Sequence, residues 1–144
     1  MGYVHRDLKP ENIVLNLKPL EVVVIDFDRA VLDTLESFGT ALGTAGYYPD
    51  KDNLRDGSWR WDAWAYAAII LESDMTEKKY MAANREQTSI RMAEAHLQEA
   101  ETCPEMRELI KKTILEKDIA KIMGIQEIMN LLAQISFRRY DAFK

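Results

Sequence analysis

The chain has one cysteine in 144 residues, Cys103, so it can form neither an internal disulfide nor a paired-cysteine zinc site. An intracellular setting, cytoplasmic or nuclear, is the natural expectation. No run of Lys and Arg is long enough to track a phosphate backbone, and the formal net charge is -5, so no nucleic-acid partner is expected. The longest apolar stretch, Ala63 to Leu71, is far too short to cross a bilayer. The N-terminus lacks a basic segment followed by an apolar one, so neither a secretory leader nor a membrane partner is expected. Internal repeats and low-complexity segments are absent as well. What remains is a chain with 47% hydrophobic and 30% charged residues, the balance of one soluble globular domain.

Three kinds of pattern follow one another. Asn12 to Asn16 and Glu21 to Asp26 are short β-branched runs around Leu17-Lys18-Pro19-Leu20, which predicts a β-hairpin. Residues 28 to 58 are rich in Gly, Ser and Thr with no helical period, which predicts a long functional loop. From Trp59 onward the pattern is helical. Trp61 to Glu72 is apolar almost all round and predicts a buried central helix. Later stripes predict amphipathic helices: Ile90, Ala93, Leu97 and Ala100; then Met106, Leu109, Ile110 and Ile114, opened by Pro104 and Glu105; then Ile125, Ile128, Met129, Leu132 and Ile135.

The densest chemistry lies at the start. His5-Arg6-Asp7-Leu8-Lys9-Pro10-Glu11-Asn12 resembles the catalytic loop of the eukaryotic protein kinases, H-R-D-L-x-x-x-N, with every fixed position present. The resemblance implies that Asp7 is the base that takes or orients the acceptor hydroxyl's proton. It implies that Asn12 is a magnesium ligand and that Lys9, as in Ser/Thr-specific loops, touches the transferred phosphate. Asp26-Phe27-Asp28 follows the second β run, 19 positions after Asp7, and is similar to the metal-binding D-F-G of the same family. Asp26 would then bind magnesium that bridges ATP phosphates, and Phe27 would pack into the core. Asp28 replaces the glycine, and a positive φ there is expected to cost about 1 kcal/mol.

Thr40-Ala41-Leu42-Gly43-Thr44-Ala45-Gly46-Tyr47-Tyr48-Pro49-Asp50 resembles the end of a kinase activation segment. On that likeness Thr40 is a regulatory phosphosite candidate, and Arg6 is the arginine that would pair with its phosphate. Thr44 would touch the catalytic Asp and Lys. Asp62-Ala63-Trp64-Ala65-Tyr66-Ala67 resembles the start of the family's central helix, with Ala67 in place of a glycine. Asp62 is expected to accept backbone N–H bonds from the catalytic loop, joining His5, Arg6, Phe27 and Thr44 as structural support. The family's Ala-Pro-Glu has become Tyr48-Pro49-Asp50, and Ile122 stands where its arginine partner would fall. Asp50 is then expected to reach solvent or another base: Arg55, Arg60 or Lys121.

The fold implied is mainly α: the helical C-terminal lobe of the protein-kinase-like fold with short N-terminal β-hairpin elements. Residues 1–28 would be the catalytic loop and metal-binding segment, 29–58 the activation segment and 59–144 the helical subdomain. No G-x-G-x-x-G occurs, and there is no room for a Gly-rich loop or strand lysine before His5. The expectation is therefore a Ser/Thr protein kinase by resemblance, truncated and inactive or nearly so when isolated. ATP and Mg2+ would need the absent N-lobe to bind productively. The apolar floor of the ATP cleft would be exposed and open to a protein partner or substrate. Two other readings stand beside it: a non-catalytic kinase-like interaction module, and a small-molecule phosphotransferase resting on Asp26-Phe27-Asp28.

Overall fold

The computed structural model describes residues 2–33, 43–49, 59–73, 88–100 and 102–141. Two short antiparallel ribbons lead the chain. The first pairs β1 (Tyr3–Val4) with β4 (Val31–Leu32), Tyr3 opposite Leu32 and Val4 opposite Val31. The second pairs β2 (Ile13–Leu17) with β3 (Leu20–Val24), from Ile13 opposite Val24 to Leu17 opposite Leu20. The expected hairpin is present, with a tighter loop: only Lys18 and Pro19 lie between the strands.

Four helices follow among the described residues: α1 (Trp59–Ser73), α2 (Thr88–Gln98), α3 (Pro104–Lys112) and α4 (Ile125–Asp141). The mainly α expectation holds. Helix α1 is the buried centre, as its all-round apolar sequence requires. Ala63, Trp64, Ala67, Ala68 and Leu71 sit in one core with Met92, Ala93, Met106, Leu109, Ile110, Ile122 and Ile128. Each large aliphatic residue there contributes roughly 1.5–3 kcal/mol by leaving water. The alanines of α1 let its neighbours approach closely, and Ala67 is one of them.

Two stripes shift from their expected positions. Helix α2 ends at Gln98, so Ala100 lies past it and is exposed, while Met92, Ala93 and His96 form the inner face. In α4 the buried line is Ile128 and Ile135 with Leu131 and Leu132 half-buried, whereas Ile125 and Met129 are exposed. Both shifts follow from one helix face meeting the core; residues at its margin stay in water. Helix α3 starts as expected, with Pro104 in its first turn beside Glu105, and Lys111 and Lys112 in its last turn. Arg107 of α3 donates to the carbonyls of Leu97 (2.7 Å), Thr102 (3.0 Å) and Glu99, capping the end of α2 from a neighbouring helix.

Candidate active site

The loop between β1 and β2 buries its polar residues at both ends, while Pro10 and Glu11 are exposed. His5, Arg6, Asp7 and Asn12 are all under a tenth exposed. Buried backbone N–H groups need partners, and Asp62, one turn into α1, supplies them. Its Oδ2 accepts the His5 N–H (2.7 Å) and its Oδ1 accepts the Arg6 N–H (2.9 Å). This is the contact expected of Asp62. Burial pushes its carboxyl above the ordinary range, and the two backbone hydrogen bonds pull part of that rise back. Arg6 takes a left-handed φ of 68°, a conformation that costs a non-glycine residue roughly 1–2 kcal/mol and here brings its N–H onto Asp62.

The His5 ring bridges two stretches of chain. Nδ1 accepts the Asp7 N–H (3.3 Å), so Nε2 carries the proton and donates to the Ile25 carbonyl (3.0 Å). Asn12 closes the loop, its Nδ2 donating to the Asp7 carbonyl (2.9 Å), and its own carbonyl accepts the Ile25 N–H (2.9 Å). The loop and the segment beginning at Asp26 are thus tied together.

Three groups meet the Asp7 carboxylate. The Thr44 hydroxyl donates to Oδ1 (2.8 Å), and the Lys9 Nζ donates to Oδ2 (3.3 Å) and to the Thr44 hydroxyl (3.0 Å). Residues 35 and 37 positions apart therefore close one triangle of Asp7, Lys9 and Thr44. The third group was not anticipated from sequence: Arg29 Nη1 lies 3.7 Å from Asp7 Oδ1, with its side chain 41% exposed. An arginine two positions after a Phe carries no local signal that it will reach a loop twenty residues upstream.

The stretch carrying Thr44 is anchored along its length. Tyr47 donates to Glu72 of α1, and Ser89 of α2 donates to the Gly46 carbonyl. Tyr48 stacks on Trp61 with ring centroids 6.1 Å apart. Gly43 packs under Tyr48, where a Cβ would meet the Tyr48 ring at 3.0 Å, so a side chain here requires that ring to shift by a few tenths of an ångström.

Two expectations for Asp26-Phe27-Asp28 are corrected. The positive φ falls on Asp26 (65°), and Asp28 is not among the non-glycine residues with positive φ. Asp is among the residues that tolerate this region best, so the missing glycine at position 28 carries no such strain. Phe27 does not enter the core: it is 58% exposed and meets the His5 ring at 4.9 Å. Thr40, Asp50 and Arg55 lie outside the described residues. Ile122 is in the core, Lys121 pairs with Asp118 at 3.2 Å, and Arg60 lies over the Trp59 ring.

Chemically, the site presents a buried carboxylate clasped by a hydroxyl and an ammonium, and the exposed carboxylate of Asp26 follows Ile25, which is bonded to the same loop. Asn12 and Asp26 offer hard oxygen donors suited to magnesium. Among the described residues no group of three or more His, Cys, Asp or Glu stands ready to hold a metal. An ion here would complete its shell from phosphate and water, as magnesium commonly does.

A model of the protein kinase domain family matches residues 1–132. The chain is 32% identical over 135 residues to 3-phosphoinositide-dependent protein kinase 1 of Mus musculus, covering 88% of this chain and 23% of that protein. It is 27% identical over 146 residues to the serine/threonine-protein kinase PKH1 of Saccharomyces cerevisiae, covering 89% and 19%. It is 38% identical over 73 residues to calcium/calmodulin-dependent protein kinase type 1B of Homo sapiens, covering 48% and 21%. The chain thus spans about a fifth to a quarter of the length of these relatives.

Proposed function

The chain belongs to the protein kinase family, and from that premise we propose that it carries the acceptor and metal half of a serine/threonine kinase site. The reaction is transfer of the γ-phosphoryl of ATP to a protein hydroxyl. The observation that carries this reading is the triangle of Asp7, Lys9 and Thr44, assembled from two separate stretches of chain. Asp7 orients the acceptor hydroxyl and takes its proton. Lys9 faces the phosphoryl group in flight, and Thr44 fixes the carboxylate rotamer. Asn12 and Asp26 would hold magnesium, which neutralises phosphate charge when bound. Asp62 holds the loop from behind. Residues 1–28 form the catalytic and metal-binding segment, 29–58 the activation segment with Thr40 as its phosphosite, and 59–144 the helical subdomain.

No G-x-G-x-x-G occurs in these 144 residues, so the chain alone is expected to transfer phosphate slowly or not at all. The test is transfer from γ-labelled ATP to serine and threonine peptides, with any coding sequence upstream of Met1 included. Magnesium-dependent transfer that Asp26→Ala reduces at least a hundredfold is expected. Transfer unaffected by Asp26→Ala overturns the metal assignment.

A second reading is favoured by one observation. Val14, Leu15, Leu17, Leu20, Val22 and Val23 are each 45% exposed or more, an apolar ribbon of the kind that meets a partner. In this reading the chain is a kinase-like interaction module. It predicts a protein complex that survives Asp7→Ala and is lost when the ribbon is made polar.

A further inference from the structure

Arg29 is the one of the three groups at Asp7 that has no part in the proposed phosphoryl transfer. Its Nη1 sits 3.7 Å from Asp7 Oδ1, the same oxygen that takes the Thr44 hydroxyl at 2.8 Å. It differs from the other two groups there. Lys9 is 21% exposed and also bonds Thr44, whereas Arg29 is 41% exposed and holds Asp7 at a looser distance. The turn that carries it is fixed at its base, where the Ala30 N–H bonds the Phe27 carbonyl (3.0 Å). Arg29 therefore stands on a fixed base with its guanidinium between Asp7 and solvent.

We infer that Arg29 is a specificity residue that selects acceptor segments carrying a carboxylate beside the hydroxyl. This rests on Asp7 being the group that meets the acceptor. A hydroxyl arriving at Asp7 Oδ1 takes the space nearest the guanidinium, and the loosest of the three contacts is the one that yields. The displaced arginine keeps its charge at any ordinary pH and needs a new acceptor. Asp26 and Asp28 are nearby in sequence, but Asp26 is committed to metal in the same reading. An Asp or Glu next to the acceptor Ser or Thr replaces one ion pair by another, and a planar fork can grip it with two parallel bonds. A neutral neighbour leaves Arg29 with water, and a basic neighbour meets it with like charge.

The experiment uses the whole chain and short fluorescent peptides that differ at one position beside a single serine: Glu, Gln or Lys. Binding is read by anisotropy at low and high salt, for the native sequence, Arg29→Ala and Arg29→Glu. A melting curve of each variant verifies folding, which an exposed side chain leaves intact. The native chain is expected to bind the Glu peptide about threefold to tenfold more tightly than the Gln peptide, with the margin shrinking in high salt. Arg29→Ala abolishes the margin, and Arg29→Glu transfers the preference to the Lys peptide. A native chain indifferent to the neighbour, or a preference that persists in Arg29→Ala, overturns the inference and leaves the role of Asp7 standing. Failure of the native chain to bind any of the peptides overturns both.

Discussion

Residues 5–12 and residues 13–24 are consecutive in the chain, and the burial of their polar and apolar side chains is opposite. In the first stretch His5, Arg6, Asp7 and Asn12 are inside. In the second the apolar side chains are outside, with Leu17 72% and Leu20 75% exposed. The usual partition of polar and apolar residues is reversed across one short boundary. On the polar side the reversal is held by hydrogen bonds to the loop's backbone. Asp62 takes two backbone N–H groups, His5 links Asp7 to Ile25, and Asn12 caps the Asp7 carbonyl. A network of this kind costs little when complete and much when broken. The apolar ribbon has no such internal logic. Its backbone is paired, and its side chains wait for a surface.

The contrast breaks most readily at Asp62. Asp62→Ala leaves the His5 and Arg6 N–H groups buried without an acceptor, and roughly 3 kcal/mol of stability should be lost in urea unfolding. Asp62→Asn keeps one acceptor oxygen and should lose about half as much. The same pair sharpens the electrostatics. Burial raises the folded carboxyl above its ordinary 3.8, so the folded state holds the proton more readily than the unfolded chain. Its contribution is present at low pH and lost as pH rises through the raised value. Measured against Asp62→Asn, the native chain should therefore lose relative stability as pH rises from the ordinary 3.8 through the raised value. A difference that is flat with pH contradicts the buried carboxylate.

A smaller effect is expected at Thr44. Thr44→Val removes the hydroxyl shared by Asp7 and Lys9 while keeping the shape, and should cost about 1–2 kcal/mol. Thr44→Ser keeps the hydroxyl and should cost less than about 0.5 kcal/mol. Equal losses in the two variants would mean that packing matters there and the hydroxyl does not. The smallest stability effect belongs to the ribbon. Leu17→Thr together with Leu20→Thr should change unfolding free energy by no more than about 0.5 kcal/mol. The same change should lower binding of a hydrophobic dye and reduce self-association on sizing. A large stability loss would show that the ribbon is packed in solution, ending the contrast.

How far the sequence reveals this depends on the range of each contact. The contacts of loop residues 5–12 with Asp62 and Thr44 are legible through resemblance to a family whose motifs these residues match. The central helix is legible because an all-round apolar run has few other homes. Arg29 and Arg107 are not. Arg29 reaches an aspartate in a separate upstream loop and Arg107 reaches back around the turn before α3 to three carbonyls, and no local pattern names either set of partners. Phe27 misleads for a different reason. A large aromatic residue predicts burial, yet burial needs a second surface, and sequence does not report whether one is there. The strain expected at Asp28 falls on Asp26 because φ is set by how the chain enters the turn, two residues earlier than the missing glycine suggests.

The central claim is that the buried polar loop is a phosphoryl-transfer site centred on Asp7. Its most direct test is the initial rate of γ-phosphoryl transfer to a serine peptide, with any upstream coding sequence included, for the native chain and Asp7→Asn at matched folded fraction. Asp7→Asn keeps the side-chain volume and one acceptor oxygen while removing the basic charge. At matched folded fraction a rate lower by about a hundredfold or more is expected for Asp7→Asn. Equal rates in the two proteins would contradict it.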